Sequence, residues 1–296
     1  MMKTPVFLGS GTALITPFKD KSIDYEKLKE LIEFQISCGT SAIIVCGTTG
    51  ENATMSVAEK ESVIDFTTDC VSGRIKVVAG IGGNDTEKTL KMAKSAEKSG
   101  VDGHLMVTPY YNKTSQKGLV EHFTYVADRT EKPIILYNVP SRTGIGIALE
   151  TYKELSKHPN INGVKEASGN ISLAAQTMAA CGDELNVWSG NDEETVPMMA
   201  LGAKGVISVA SNIVPDVVSQ LCQLCFNEEF TDASQLYFKY AELFSSLFVE
   251  VNPMPVKTAM GWLGLCSGEV RLPLTEMSET SKAALRESMR KVGLYF

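Results

Sequence analysis

Short apolar runs return along this chain at a near-constant interval, and that rhythm restricts the fold more than any other feature. They cover residues 11–15, 42–46, 76–79, 103–107, 134–136, 163–164, 186–188 and 205–209. Thr48, Gly80, Thr108, Tyr137, Lys165, Ser189 and Ser208 mark seven run ends, at a mean spacing of about 27 residues, close to one strand–helix–strand unit. The stretches between carry helix signals. Leu28, Leu31, Ile32 and Ile36 share one helical face behind Asp24 as N-cap, and Ser56 and Glu59 have capping-box spacing. Leu119, Phe123, Val126 and Ala127 repeat the facial spacing, and Gly39, Gly73, Gly100 and Gly202 stand where helix C-caps fall. Eight such units in series predict an α/β fold, a closed (β/α)8 or TIM barrel rather than an open sheet.

After about residue 225 the pattern becomes purely helical. One long helix is predicted over 231–251, broken by Asn252-Pro253-Met254-Pro255, with a further helix to Gly264 and a last one over 279–292. The expected organisation is a barrel over residues 1–225 carrying the active site, and a helical appendix over 226–296 packed on it. No Gly- or Ser-rich linker separates the two.

With 44% hydrophobic and 21% charged residues the chain can bury a sizeable core. Its net charge of −7 argues against non-specific binding to nucleic acid or anionic membrane. No run approaches the roughly 18 apolar residues of a membrane span, and the N-terminus lacks a signal-peptide pattern. Seven dispersed cysteines suggest reduced thiols and a cytoplasmic setting. Cys222 and Cys225 form a C-x-x-C inside a helical pattern, which reads as two core-facing residues rather than a redox motif. The three histidines lack ligand spacing, so no metal site is expected.

The chemistry-bearing residues concentrate at the run ends, where barrel active sites lie. Ile134-Ile135-Leu136 ends on Tyr137, and Lys165 follows Val164 one unit later, so a phenol and an amine are expected at the same ends of neighbouring parallel strands. A surface lysine would satisfy the same text, and Tyr137 could be a core residue. Alternatively the amine attacks a ketone to form a Schiff base, an electron sink for carbon–carbon chemistry, and the phenol carries protons. Cys46-Gly47-Thr48-Thr49-Gly50-Glu51 offers two hydroxyls and free amides suited to a small carboxylate, or is an ordinary turn. Arg142, in a loop opened by Pro140, is a solvated charge or a clamp on a second carboxylate. Tyr110 and Tyr111 diverge, so at most one faces its own site, and either suits an interface. Gly80-Ile-Gly-Gly-Asn84 does not fit a nucleotide loop and reads as close packing.

Together these segments resemble the pyruvate-dependent aldolase and lyase family that includes dihydrodipicolinate synthase and N-acetylneuraminate lyase. The matching pieces are G-T-T-G-E at 47–51, T-P-Y-Y at 108–111, Y-N-V-P-x-R-T-G at 137–144 and G-V-K-E-A-S-G at 163–169, in order over nearly the whole chain. The resemblance implies that Lys165 forms an imine with pyruvate, without metal or organic cofactor, and that the derived enamine attacks an aldehyde. It implies a proton relay of Tyr137, Thr48 and Tyr111, the last supplied by a neighbouring subunit, and carboxylate binding by the amides of Thr48 and Thr49. Gly190 and Ile207 would line the site, and the assembly would be a homotetramer built as a dimer of dimers.

Arg142 points to the synthase branch, whose aldehyde, aspartate semialdehyde, carries its own carboxylate; the lyases place an apolar residue there. Lysine-inhibited synthases carry histidines after G-T-T-G-E and an acidic residue four after the Asn of the next loop. This chain has Val57, Lys60 and Lys88 at those places, so weak inhibition by lysine is expected. Two other readings stay open from sequence: a sibling aldolase acting on a sugar-derived 2-oxo acid, and a non-catalytic 2-oxo-acid-binding member.

Overall fold

The computed structural model of the protein describes residues 2–296. Its strands are β1 Gly9–Ala13, β2 Phe18–Lys19, β3 Ser22–Ile23, β4 Ala42–Val45, β5 Lys76–Gly80, β6 Gly103–Val107, β7 Ile134–Asn138, β8 Ile161–Glu166, β9 Asn186–Ser189 and β10 Gly205–Ser208. Strands β2 and β3 form a small hairpin, and the other eight close into a parallel barrel in the order β1-β10-β9-β8-β7-β6-β5-β4. The first helices are α1 Tyr25–Ser37, α2 Val57–Val71, α3 Thr86–Lys98, α4 Gln116–Ala127, α5 Pro140–Thr143 and α6 Leu149–Leu155. They are followed by α7 Ile171–Cys181, α8 Thr195–Ala200, α9 Pro215–Phe226, α10 Phe230–Ser246, α11 Met254–Trp262 and α12 Glu279–Lys291. The predicted N-caps hold: Asp24 accepts from the Lys27 amide, and Ser56 with Glu59 forms a complete capping box.

All eight predicted runs are strands, with shifted ends. Strand β1 starts two residues earlier than its run because Gly9 and Ser10 carry no apolar signal yet pair with β10. Strand β8 extends through Lys165 and Glu166, because its pairing with β7 and β9 continues past the last apolar residue.

Side chains alternate across the barrel wall, as the period of two requires. Ala42, Ile44, Val78, Leu105, Ile135, Tyr137, Trp188 and Ile207 form an interior cluster with Phe7, which stacks on Trp188 at 5.1 Å between ring centroids. Their neighbours Ile43, Val77, Met106, Leu136, Val164, Val187 and Val206 face the helices in the larger outer core. The 80–84 segment is close-packed: a Cβ on Gly80 would lie 2.2 Å from the Cys46 carbonyl oxygen, and one on Gly82 2.3 Å from the Val107 nitrogen. Cys222 and Cys225 are buried on α9, and burial raises the pKa of both thiols, which leaves them unreactive.

Two local expectations need correction. The helix predicted over 231–251 ends at Ser246, because the chain turns there and brings Phe248 and Asn252 to the barrel mouth. Arg142 stands on one turn of helix, α5, instead of a loop, since Pro140 at its first turn pre-sets the helical φ.

Two histidines are buried neutral. His104, on β6, is fully covered, with Nε2 3.6 Å from Glu97 Oε1 and both ring nitrogens lacking a hydrogen bond. Burial lowers its pKa from 6.5 to about 4, against the opposing pull of Glu97. Burial alone does the same for His122 on α4, also to about 4. Both folded values lie below the unfolded one, so the unfolded chain binds protons first as pH falls. Their stability contribution is therefore complete above pH 6.5 and is lost between 6.5 and about 4. The loss is on the order of 3 kcal/mol for each. Melting temperature is expected to fall steeply across this window, and His104→Asn to make the fall shallower, as read by calorimetry from pH 7 to 4.

Candidate active site

Residues from five strand ends and from the C-terminal stretch enclose a cavity of about 150 Å3 at the carboxyl-terminal mouth of the barrel. Thr49, Tyr137, Arg142, Lys165, Gly190 and Asn252 are among its walls. This is smaller than the ~300–1,000 Å3 of pockets for drug-sized ligands and suits an acid of a few carbons.

Alternation along β8 decides where Lys165 points. Val164 packs outward, so Lys165 turns into the barrel and Glu166 turns out again. Lys165 is 5% exposed and pairs in register with Tyr137 on one side and Trp188 on the other. Its Nζ lies over the Tyr137 ring, 4.4 Å from the centroid. Glu166 anchors the strand end from behind. It accepts from Asn138 Nδ2 at 3.0 Å, Tyr152 Oη at 2.7 Å and the Ser168 amide at 2.8 Å. Burial beside that carboxylate holds the Tyr152 phenol well above its usual pKa, so it stays a hydrogen-bond donor. Gly190 gives the lysine its room: a Cβ there would come 3.1 Å from Lys165 Cε and 2.6 Å from Ala167 Cβ.

The turn after β4 is fixed from the C-terminal side. Glu51, in the left-handed region at φ 55°, accepts from Lys257 Nζ at 2.5 Å and from the Arg271 amide at 3.0 Å. Lys257 is fully buried on α11, where desolvation lowers its pKa against the opposing pull of Glu51. Just before α11, Asn252 Nδ2 donates to Thr49 Oγ1 at 3.0 Å, and the Asn252 carbonyl accepts from Arg142 Nη2 at 3.2 Å. Thr143 holds α5 from below, accepting from Thr108 Oγ1 at 3.0 Å. Asp192, buried after β9, accepts from Ser208 and from the amides of Val209 and Ala210, which shapes the turn after β10.

Five of the expected site residues therefore meet in one cavity: Thr49, Tyr137, Arg142, Lys165 and Gly190. Three do not line it. Thr48 is half-buried in the adjoining turn, Ile207 is wholly covered in the barrel interior, and Tyr111 is 90% exposed at φ 70°. Sequence reasoning missed Asn252, Phe248 and the Glu51–Lys257 pair. Their link to the site crosses some 200 residues, as from Thr49 to Asn252, and no local pattern carries it. Among the described residues no group of three or more His, Cys, Asp or Glu is placed to hold a metal ion, and no helix is long and apolar enough to cross a membrane.

Fold and site define a (β/α)8-barrel enzyme with a buried amine, a phenol and a guanidinium at its mouth. The chain belongs to the Dihydrodipicolinate synthetase family, which it matches over residues 6–292, and is a carbon–carbon lyase of that family. It is 49% identical over 291 residues to the 4-hydroxy-tetrahydrodipicolinate synthase of Caldicellulosiruptor saccharolyticus, covering 98% of each chain. Among solved structures it is similar to dihydrodipicolinate synthase from Aquifex aeolicus, with a TM-score of 0.95 and 48% identity over 97% of this chain and 99% of that one. The lysine-bound enzyme of Cyanidioschyzon merolae superposes with a TM-score of 0.95 at 37% identity, over 99% of this chain and 100% of the other.

The clamp on the turn after β4 can be tested directly. Lys257→Met leaves the Glu51 carboxylate buried without its cation, and a loss of about 3–5 kcal/mol is expected in urea unfolding. The double variant Glu51→Gln/Lys257→Met should recover most of it.

Proposed function

We propose that this protein condenses pyruvate with L-aspartate 4-semialdehyde to 4-hydroxy-tetrahydrodipicolinate, on the route to diaminopimelate and lysine. The observation that carries this reading is the shared cavity: Lys165, 5% exposed with its Nζ 4.4 Å from the Tyr137 ring centroid, faces the same space as Arg142. An amine for the ketone and a fixed cation for a second carboxylate are what these two substrates require together.

The Lys165 amine adds to C2 of pyruvate, and the carbinolamine loses water to leave an imine. Loss of a C3 proton gives the enamine, whose C3 attacks the aldehyde carbon and forms the new carbon–carbon bond. The imine is the electron sink, so the reading calls for no cofactor. Tyr137 lies beside the amine and serves as proton carrier with Thr48. Tyr111, exposed on its own subunit, completes the relay in the neighbour across a dimer interface, and we take the assembly to be a dimer of such dimers. The Thr48–Thr49 turn holds the pyruvate carboxylate, and the backbones of Gly190 and Ile207 border it. Arg142 takes the carboxylate of the aldehyde substrate, a contact a sugar-derived acceptor would not use. Seven unpaired thiols suit a reducing compartment, and we place the reaction in the cytoplasm.

Borohydride reduction in the presence of pyruvate is expected to leave one adduct on Lys165, found by intact mass and peptide mapping, and none in Lys165→Ala. A folded wild-type protein without the adduct would sink this reading.

Val57, Lys60, Asn84, Lys88 and Tyr110 line a separate cavity of about 270 Å3 beside the 80–84 segment. Lys60, Lys88 and Lys91 outnumber Glu61 and Asp85 in its walls, and the excess positive charge opposes a cationic amino acid. Free lysine is accordingly expected to inhibit only at millimolar concentration or above, and half-inhibition at micromolar lysine in a steady-state assay contradicts this.

A further inference from the structure

Asn252 stands out among the residues around the cavity because one of its polar atoms is left over. It is 6% exposed and lines the cavity, yet its Oδ1 is buried with no hydrogen-bond partner. A buried acceptor in that condition is costly, and natural proteins rarely keep one without a use. Two other groups of the residue are engaged. Nδ2 donates to Thr49 Oγ1 at 3.0 Å, which orients the amide with Oδ1 away from that contact, and the main-chain carbonyl accepts from Arg142 Nη2 at 3.2 Å. The residue that carries the free acceptor therefore also holds, through its main chain, the guanidinium that the proposed function assigns to the carboxylate of the aldehyde substrate.

In an α-amino acid the amine and the carboxylate share one carbon. A group that receives the amine must stand within a few ångströms of the one that clamps the carboxylate, and Asn252 is hydrogen-bonded to that clamp. We propose that Asn252 Oδ1 accepts a hydrogen bond from the amino group of the aldehyde substrate, and so selects an α-amino aldehyde over one without the amine. The inference rests on the condensation proposed above.

The contact has a chemical consequence. After the carbon–carbon bond forms, the substrate nitrogen must attack C2 of the imine. A new C2–N bond forms, a proton passes from that nitrogen to Lys165 Nζ, and the C2–Nζ bond breaks. The ring closes and the free lysine returns. An amide oxygen accepts from an N–H of the amine and donates nothing to it, so the contact orients the nitrogen without occupying its lone pair once it is neutral. A carboxylic acid or a cationic donor at this place would not leave it free.

The test compares aspartate semialdehyde with 4-oxobutanoate, the same aldehyde acid without the amine, used as an inhibitor of the full-length enzyme. Asn252→Ala is expected to raise KM for aspartate semialdehyde at least about tenfold. The inhibition constant of 4-oxobutanoate should stay within about twofold, with the Lys165 borohydride adduct retained. Parallel rises in KM and in the inhibition constant would assign Asn252 to positioning Arg142 and overturn the inference. So would an unchanged KM in Asn252→Ala, or loss of the adduct in that variant alone. Absence of the adduct in wild type as well would overturn the condensation reading together with it.

Discussion

The alternation of side chains across a closed parallel barrel, which β8 resumes from Gly163 after a register shift against β7, is the constraint on which the rest depends. In β8, Val164 must face the helices, so Lys165 must face the interior and Glu166 must face out again. A one-residue slip would place a lysine among the outer apolar side chains and the glutamate over the mouth. The register with β7 and β9 excludes the slip, because Lys165 is matched to Tyr137 and Trp188 along with every neighbouring pair. The amine is thus held by the same hydrogen bonds that close the barrel.

A second layer of organisation comes from the C-terminal stretch. Three charged or polar groups reach the strand-end turns from there. Lys257 holds Glu51, Asn252 holds the Thr49 hydroxyl, and the Asn252 carbonyl holds Arg142. A turn with a non-glycine residue at positive φ, such as Glu51, persists when its surroundings over-determine it. Burying an ion pair is expensive and adds little net stability, so the Glu51–Lys257 pair is better understood as fixing geometry. The residues after α10 belong to the site as much as the barrel strands do.

The cavity combines few polar groups with close apolar packing. The Tyr137 face covers Lys165 Nζ, and Gly190 leaves the lysine stem space that an added methyl would occupy. Fixed donors and acceptors in a small, water-poor volume act more strongly on a substrate than the same groups in solvent. Asn252 Oδ1, buried at the edge of this volume without a partner, fits the same logic if it keeps a place for a hydrogen that a substrate brings, as proposed above.

The sequence by itself determined the barrel, the helix caps and the neighbouring strand ends of Tyr137 and Lys165. These follow from period and spacing, which local sterics impose on any chain. The Cys222–Cys225 pair was equally legible as core, because its surroundings repeat with helical spacing. The tertiary structure alone decided where β1 and β8 begin and end, since strand ends are set by pairing partners that carry no apolar mark. It also decided that α10 stops at Ser246, that Arg142 rides on a helical turn, and that Asn252 meets Thr49 across 203 positions. Such contacts are settled by which surfaces remain to be buried once the barrel has closed, and no window of sequence contains both partners.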